Sequence, residues 1–293
     1  MFASGLKIMK ALMFMTTKLD KEIIKPTIAA IQMCSSHIVD DNLKLAENLI
    51  SEAAKNNANI VVLPEMFAIM GALPKDKVLV KETFGDGKIQ NFLSEQGKIN
   101  NIWIVGGTIP IECNDINKVR AASLVFNNKG NCVARYDKIH LFDVTISENE
   151  KYKESETTEP GTEIVVVDTP FGKLGLGICF DVRFPELFRC LSEKGAEIIA
   201  LPSAFTISTG QAHWELLARS RAVENFCYVV GACQGGTHSN GRKTYGNSII
   251  VEPWGNIAAK KEGVESGVIY SAIDLNKIDE ARKSIPLQRK LNS

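Results

Sequence analysis

The chain has no excess of either charge: Lys plus Arg and Asp plus Glu number 34 each among its 293 residues. That balance argues against a basic groove for nucleic acid, a polybasic patch for a membrane surface and a charged tail. The seven cysteines, at 34, 113, 132, 179, 190, 227 and 233, are odd in number and form no C-x-x-C pair. With only four histidines, scattered along the chain, zinc-ligand spacing is absent as well. Reduced thiols in a cytoplasmic protein are the expectation. No apolar run reaches the roughly 20 residues of a membrane-spanning helix, so no membrane partner is expected. After residue 26 there is no low-complexity linker and no break in composition.

Residues 1–25 set Lys7 and Lys10 ahead of the apolar stretch ALMFM. That core is too short for a signal peptide, and no small-x-small cleavage site follows it. Met9, Met13 and Met15 leave a later start open. The expectation is a loosely packed N-terminal extension over 1–25, without export, followed by a single domain over 26–293.

What is present is ordinary for a globular protein: 45% apolar and 23% charged residues. The charge balance would suit a small neutral or zwitterionic substrate. From residue 26 onward, short β-branched runs alternate with amphipathic stretches. TIAAIQM (27–33) and NIVVLPE (59–65) read as strands around a helix at 40–57, whose apolar face is Leu43, Ala46, Leu49, Ile50 and Ala53. A helix over 88–100 and a strand over 101–111 follow. Residues 120–138 and 162–178 each read as two strands around a turn. A helix at 185–195 closes on Gly195. Beyond it come a strand at 196–203, a helix at 211–226, three more strand segments and a last helix at 277–285. The fold class is α/β, with hairpins adding antiparallel pairs: a mixed sheet covered by helices, or two such sheets packed together. GLGICF lacks the third glycine of a dinucleotide-binding turn, so a pure Rossmann sheet is disfavoured.

Open α/β sheets place their chemistry at the carboxyl ends of strands. Three ionisable residues fall there: Glu65 after IVVLP, Lys138 after VARYD and Cys179 after LGLGI. Together they offer an acid/base, a cation and a thiol, the parts needed for acyl transfer through a thioester. Cys179 sits at a strand-to-helix turn, where a helix N-terminus or an ammonium favours the thiolate and backbone N–H groups can receive an oxyanion. Spacing alone leaves other readings open. Cys179 can be a small buried hydrophobe, Glu65 a helix cap and Lys138 an exposed cation. His140 also offers itself for a papain-like Cys–His pair.

The motifs LPEMF, YDKIHLFD, GICFDVRFPEL and SAFTISTGQAHWELLARSRAVEN, in that order and each beside its strand, resemble the nitrilase, or carbon–nitrogen hydrolase, superfamily. The resemblance runs from about residue 26 to about 290. It implies an α-β-β-α sandwich of two mixed β-sheets flanked by helices. It also implies a homodimer or higher homo-oligomer that pairs in part through the helix at 185–195. Glu65, Lys138 and Cys179 match the family's catalytic residues, and Glu154, in YKES, matches a second glutamate that positions the lysine and the substrate. Lys138 and the backbone N–H near Phe180 would stabilise the oxyanion. No metal or organic cofactor is implied.

The stretches AFTISTGQAHWELLARSRAVENFCYVVGACQGGTH and TYGNSIIVEPWGNI are most similar to the branch of amidases that split deaminated glutathione into 2-oxoglutarate and cysteinylglycine. Gln234-Gly235-Gly236 leans the same way. A sister branch, the ω-amidases acting on 2-oxoglutaramate, remains the alternative, as do other amidases and N-carbamoyl hydrolases of the superfamily and a catalytically inactive binding subunit. A 2-oxo dicarboxylate-type acyl group needs a cation for its far carboxylate. Arg183, four positions after Cys179, is the candidate, unless it forms a structural ion pair with Glu186 or Asp181. Thr209 is a candidate hydrogen-bonding partner for the same group. Asn247 stands where many relatives carry His.

Overall fold

The computed structural model describes residues 25–148 and 150–287. The expected extension lies outside these residues except for Lys25, which pairs with Asp274 at 2.8 Å. The last residues of the expected 26–293 domain also lie outside them.

β1 (Thr27–Gln32) leads through α1 (Val39–Lys55) to β2 (Ala58–Val62). The buried side of α1 includes Leu43, Ala46, Leu49, Ile50 and Ala53, the face its helical spacing predicts. After a short helical turn at Asp76–Leu79 come α2 (Lys88–Ile99), β3 (Trp103–Val105), β4 (Ile109–Glu112), β5 (Val119–Phe126) and β6 (Cys132–Asp137). The single strand expected over 101–111 is thus two. β3 and β4 both pair antiparallel with β5, against different parts of it, and Gly106–Thr108 separates them. Gly107 (φ 51°) makes the break. A Cβ there would lie 2.1 Å from the Pro64 carbonyl oxygen, so only glycine allows this approach of backbone to backbone.

The hairpin β7 (Asp143–Ser147) and β8 (Glu150–Lys153) follows, then β9 (Val166–Thr169) and β10 (Gly172–Leu176). The last two are the hairpin expected over 162–178. α3 (Pro185–Glu193) begins on its proline and stops before Gly195 (φ 90°). β11 (Ile198–Ala200) precedes the helical segment expected over 211–226. That segment starts at Ile207, where Thr206 accepts a hydrogen bond from the Thr209 N–H, and passes through a π-helical turn at Gly210–Trp214 into α4 (Glu215–Val223). Gly210 packs on the Tyr245 ring, where a Cβ would meet Cγ at 2.3 Å. Then come β12 (Tyr228–Gly231), the hairpin β13 (Gly235–Thr237) and β14 (Lys243–Tyr245), β15 (Ile249–Val251), β16 (Ile257–Lys260), β17 (Gly267–Ala272) and α5 (Leu275–Ser284).

Two mixed sheets result. One has the order β17-β1-β2-β3-β5-β4, with β6 also on β5; the other runs β16-β15-β12-β11-β10-β9. β1-β2-β3 and β10-β11-β12 are parallel, and their outer neighbours are antiparallel. Alternation along the strands divides the core. Ile28, Ala30, Ile60, Val62 and Val105 share one cluster with Leu174, Leu176 and Ile198 of the other sheet. Ala29, Ile31, Val61, Leu63 and Ile104 belong to a second cluster with the apolar face of α1. α2 packs on β3 and β5, α3 on β10, and α4 on β12 and β15. The layers are α-β-β-α. Among the described residues no helix is long and apolar enough to cross a membrane.

Candidate active site

A cavity of about 900 Å3 opens among the loops that follow β2, β6, β10 and β11. Its lining includes all six candidate residues: Glu65, Lys138, Glu154, Cys179, Arg183 and Thr209. They arrive by five routes, Cys179 and Arg183 sharing the turn after β10.

Glu65 follows β2, and the break between β3 and β4 fixes it. Gly107 admits the Pro64 carbonyl, and the Thr108 hydroxyl accepts the Met66 N–H at 2.8 Å. Met66 itself is in the left-handed region (φ 56°). From the other side Gln234 donates its Nε2 to the Glu65 carbonyl at 3.0 Å and to Ser35 Oγ at 2.8 Å, while its Oε1 accepts the Ser35 N–H. The backbone of Glu65 is therefore held from both sides, leaving the carboxylate to face inward.

Lys138 follows β6. Its ammonium donates to Glu65 Oε1 at 2.7 Å and to Glu154 Oε2 at 2.9 Å. Glu154, directly after the β7–β8 hairpin, also accepts the Phe142 N–H at 2.7 Å. Exposure of the three side chains is 2% for Lys138, 3% for Glu65 and 13% for Glu154. Burial alone would push the Lys138 pKa down, but the Glu154 and Glu65 carboxylates outweigh it and hold the ammonium well above its ordinary value. Burial would likewise raise Glu154, and the Lys138 and Lys77 ammoniums outweigh it, so its carboxyl lies below the usual range.

Cys179 occupies the turn after β10 with φ 44°. A side chain that is not glycine costs about 1–3 kcal/mol in such a conformation, and the surroundings hold it there. The Cys179 N–H donates to the Pro202 carbonyl at 2.8 Å. Asp181 ties down the turn, accepting from the Ile178 N–H (2.9 Å), the Tyr136 hydroxyl (2.7 Å) and the His140 N–H (3.0 Å). The Ala204 N–H points at Cys179 Sγ from 3.5 Å. Burial first, and then the charge of Glu65, pushes the thiol pKa well above its ordinary value, against the pull of Lys138 and the Ala204 N–H. The resting group is a protonated thiol.

Arg183 forms no ion pair with Glu186 or Asp181. Asp181 is taken up by the turn and by His140 Nδ1 at 2.7 Å, while Arg183 lies over the Phe180 and Phe205 rings, with Nη1 3.3 Å from His213 Nδ1. The Thr209 hydroxyl is 2.9 Å from that of Thr206. His140 is engaged by Asp181 and stacks on Phe184 at 3.6 Å, outside the cavity lining. The papain-like pair is therefore not formed. Asn247 is also outside the lining; it caps its own turn through Nδ2 to the Tyr245 carbonyl at 2.8 Å, with φ 57°.

Sequence reasoning did not single out Lys77, Tyr152 and Arg242 of the lining, or Gln234 behind Glu65 as the group that holds it. The signal for Gln234 was its place after β12, where a buried amide needs backbone partners.

Moving the thiol proton to a neighbouring carboxylate trades one anion for another, so the transfer adds no net charge to a desolvated site. The arrangement can supply a nucleophile, a proton acceptor and a fixed cation in one cavity. Among the described residues no group of three or more His, Cys, Asp or Glu side chains is arranged to hold a metal ion.

The sequence matches the family model described as carbon–nitrogen hydrolase over residues 27–283. It is 39% identical over 260 residues to omega-amidase NIT2 of Mus musculus, covering 89% of this chain and 92% of that one. It is equally 39% identical over 243 residues to the deaminated glutathione amidase of Yersinia enterocolitica, covering 82% and 84%. Among solved structures, Nit3 of Saccharomyces cerevisiae, described as a member of branch 10 of the nitrilase superfamily, superimposes with a TM-score of 0.81 at 35% identity, covering 91% of this chain and 96% of that one.

Proposed function

This chain belongs to the carbon–nitrogen hydrolase family, and on that footing we propose that it hydrolyses a linear amide through a thioester on Cys179. The observation that carries the reading is the buried Lys138 bridge between Glu65 and Glu154, in the cavity that Cys179 also lines. Glu65 takes the Cys179 proton as Sγ attacks the amide carbonyl. Lys138 and the N–H of Phe180 receive the negative charge that develops on the carbonyl oxygen. Such a donor is commonly worth on the order of 3 kcal/mol of barrier. Glu65 then gives its proton to the departing nitrogen, the C–N bond breaks and the acyl group stays on sulfur. Water, deprotonated by Glu65, attacks the thioester and releases the acid, and the thiol is restored. Glu154 keeps the ammonium aimed at the reacting oxygen.

The preferred substrate is deaminated glutathione, cleaved to 2-oxoglutarate and cysteinylglycine. Supporting it are the amidase of that name in Yersinia enterocolitica, the Gln234-Gly235-Gly236 run and a cavity at the roomy end of the range for small-molecule sites. Arg183 would hold the far carboxylate of the acyl group, with Thr209 beside it. The second reading is an ω-amidase acting on 2-oxoglutaramate, favoured by the mouse relative at the same identity. We place the protein in the cytoplasm as a homodimer or higher homo-oligomer, consistent with seven free cysteines and with the partly exposed α3.

The test is a panel of deaminated glutathione, 2-oxoglutaramate and simple nitriles, followed by amine or ammonia release. Highest kcat/KM on deaminated glutathione supports the first reading, and highest on 2-oxoglutaramate the second. Absence of turnover on every member would point to an inactive binding subunit.

A further inference from the structure

We propose that Arg242 reads the leaving half of the substrate, selecting amides whose departing amine carries a carboxylate; this rests on the amidase reading above. Arg183 lies on the elbow that carries the nucleophile. Arg242 enters the same cavity from a different element, the turn between β13 and β14.

That turn is pinned on several sides. The Arg242 N–H donates to Asn240 Oδ1 at 2.9 Å, and its carbonyl accepts the His238 N–H at 2.8 Å. Asn240 Nδ2 donates to the Gly71 carbonyl at 2.6 Å. His238 is buried, with Nδ1 2.8 Å from the Ser35 carbonyl and Nε2 2.7 Å from the Thr244 hydroxyl. The arginine thus projects from a rigid base.

Its guanidinium lies over the Tyr152 ring at 5.2 Å, and Nη2 donates to the Ala204 carbonyl at 2.9 Å. Ala204 is the residue whose N–H points at Cys179 Sγ, so Arg242 is anchored one residue from the thiol. Among the described residues no carboxylate pairs with it. Its Nε–H is buried and meets no acceptor. A half-buried guanidinium with a fixed base, an aromatic face beneath it and no carboxylate partner among the described residues is suited to an incoming carboxylate, which accepts charge-assisted and often paired hydrogen bonds.

The chemistry divides the two cations. Attack at the amide carbon joins the acyl half to Cys179, which carries Arg183 beside it, and expels the amine half. If the amine half were ammonia, a second guanidinium would have nothing to bind. An amine with its own carboxylate, as in a dipeptide, would give the guanidinium the carboxylate partner it lacks among the described residues.

The probe pair is 2-oxoglutaryl-cysteinylglycine as the free acid and as its C-terminal carboxamide. We expect wild-type protein to prefer the acid by about tenfold or more in kcat/KM, mainly through KM, the scale of one charge-assisted hydrogen bond. Arg242→Gln should bring the acid-to-amide ratio to within about twofold of unity, with Arg242→Lys between the two. A wild-type ratio near one overturns the proposal without need of a variant. So does an Arg242→Gln protein that loses rate on both probes equally while keeping the ratio, since that is what a purely structural role through Ala204 would produce. In both of those cases turnover of the probes leaves the amidase reading standing. Wild-type protein that cleaves neither probe overturns this inference, and the amidase reading falls with it only if 2-oxoglutaramate is not turned over either.

Discussion

The Lys138 ammonium lies 2.7 Å from Glu65 Oε1, and neither side chain is more than 3% exposed. One cation thereby pairs with two buried carboxylates, that of Glu65 and, at 2.9 Å, that of Glu154. Removing the cation should damage both chemistry and folding. In Lys138→Met we expect kcat to fall by at least about a hundredfold, the scale of one lost oxyanion donor. Stability should fall by roughly 3–5 kcal/mol, because two largely buried carboxylates lose the cation between them. Urea unfolding and turnover measure the two separately. Near-normal activity in the folded variant would remove Lys138 from the mechanism.

The same network sets a pH window. The Glu154 pKa is lowered on folding, so its contribution is fully present above the carboxyl's unfolded value, about 4.3, and is lost as pH falls through the lower folded value. The Lys138 pKa is raised on folding, so its contribution is fully present below the unfolded value, about 10.4, and is lost as pH rises through the higher folded value. Melting temperature should therefore drop at both extremes. In Glu154→Gln the acid limb below about pH 4.3 should flatten relative to wild type. An unchanged acid limb would mean that Glu154 is not held ionised by Lys138 and Lys77.

Gln234 acts on Glu65 from behind, through the backbone. Gln234→Leu removes the donor to the Glu65 carbonyl and both links to Ser35. Leaving such buried groups unmet costs about 1–3 kcal/mol each. The displaced carboxylate should lower kcat more than it raises KM, and Gln234→Glu, which keeps an acceptor for Ser35, should fall between the two. A rise in KM alone would show that Gln234 touches substrate and does not position the base.

Arg183 should govern the acyl side. Arg183→Lys keeps the charge but not the planar fork, and we expect it to lose selectivity for 2-oxo dicarboxylate-type acyl groups over simple aliphatic amides. A selectivity pattern like that of wild type would leave its place over Phe180 and Phe205 as its only role.

The three strand ends were legible because β2, β6 and β10 bring their carboxyl ends to one cavity, although only β2 and β10 have parallel neighbours and β6 closes an antiparallel hairpin. Glu65, Lys138 and Cys179 can be read as a group from their places after these strands, and all three line the cavity. Both hairpins built around a short turn, over 120–138 and 162–178, were also legible from their alternation. The β7–β8 hairpin was not, since both its strands are half-exposed, and it brings Tyr152 and Glu154 to the wall. The β13–β14 hairpin, with only three residues a side and two of them glycine, carried too little pattern to announce Arg242. The strand expected over 101–111 was broken by Gly107, whose need is set by Pro64, a residue distant in sequence. His140 and the Arg183–Asp181 pair failed for one shared reason: Asp181 is consumed by Ile178, Tyr136 and His140, a competition that spacing does not reveal.

A thioester on Cys179 is the intermediate on which the proposed mechanism turns. Rapid acid quench of wild-type protein turning over deaminated glutathione, followed by intact-mass and peptide analysis, measures it most directly. We expect a 2-oxoglutaryl adduct on the peptide containing Cys179, and neither adduct nor turnover in a folded Cys179→Ala protein. An adduct on another cysteine, or turnover retained in Cys179→Ala, would contradict it.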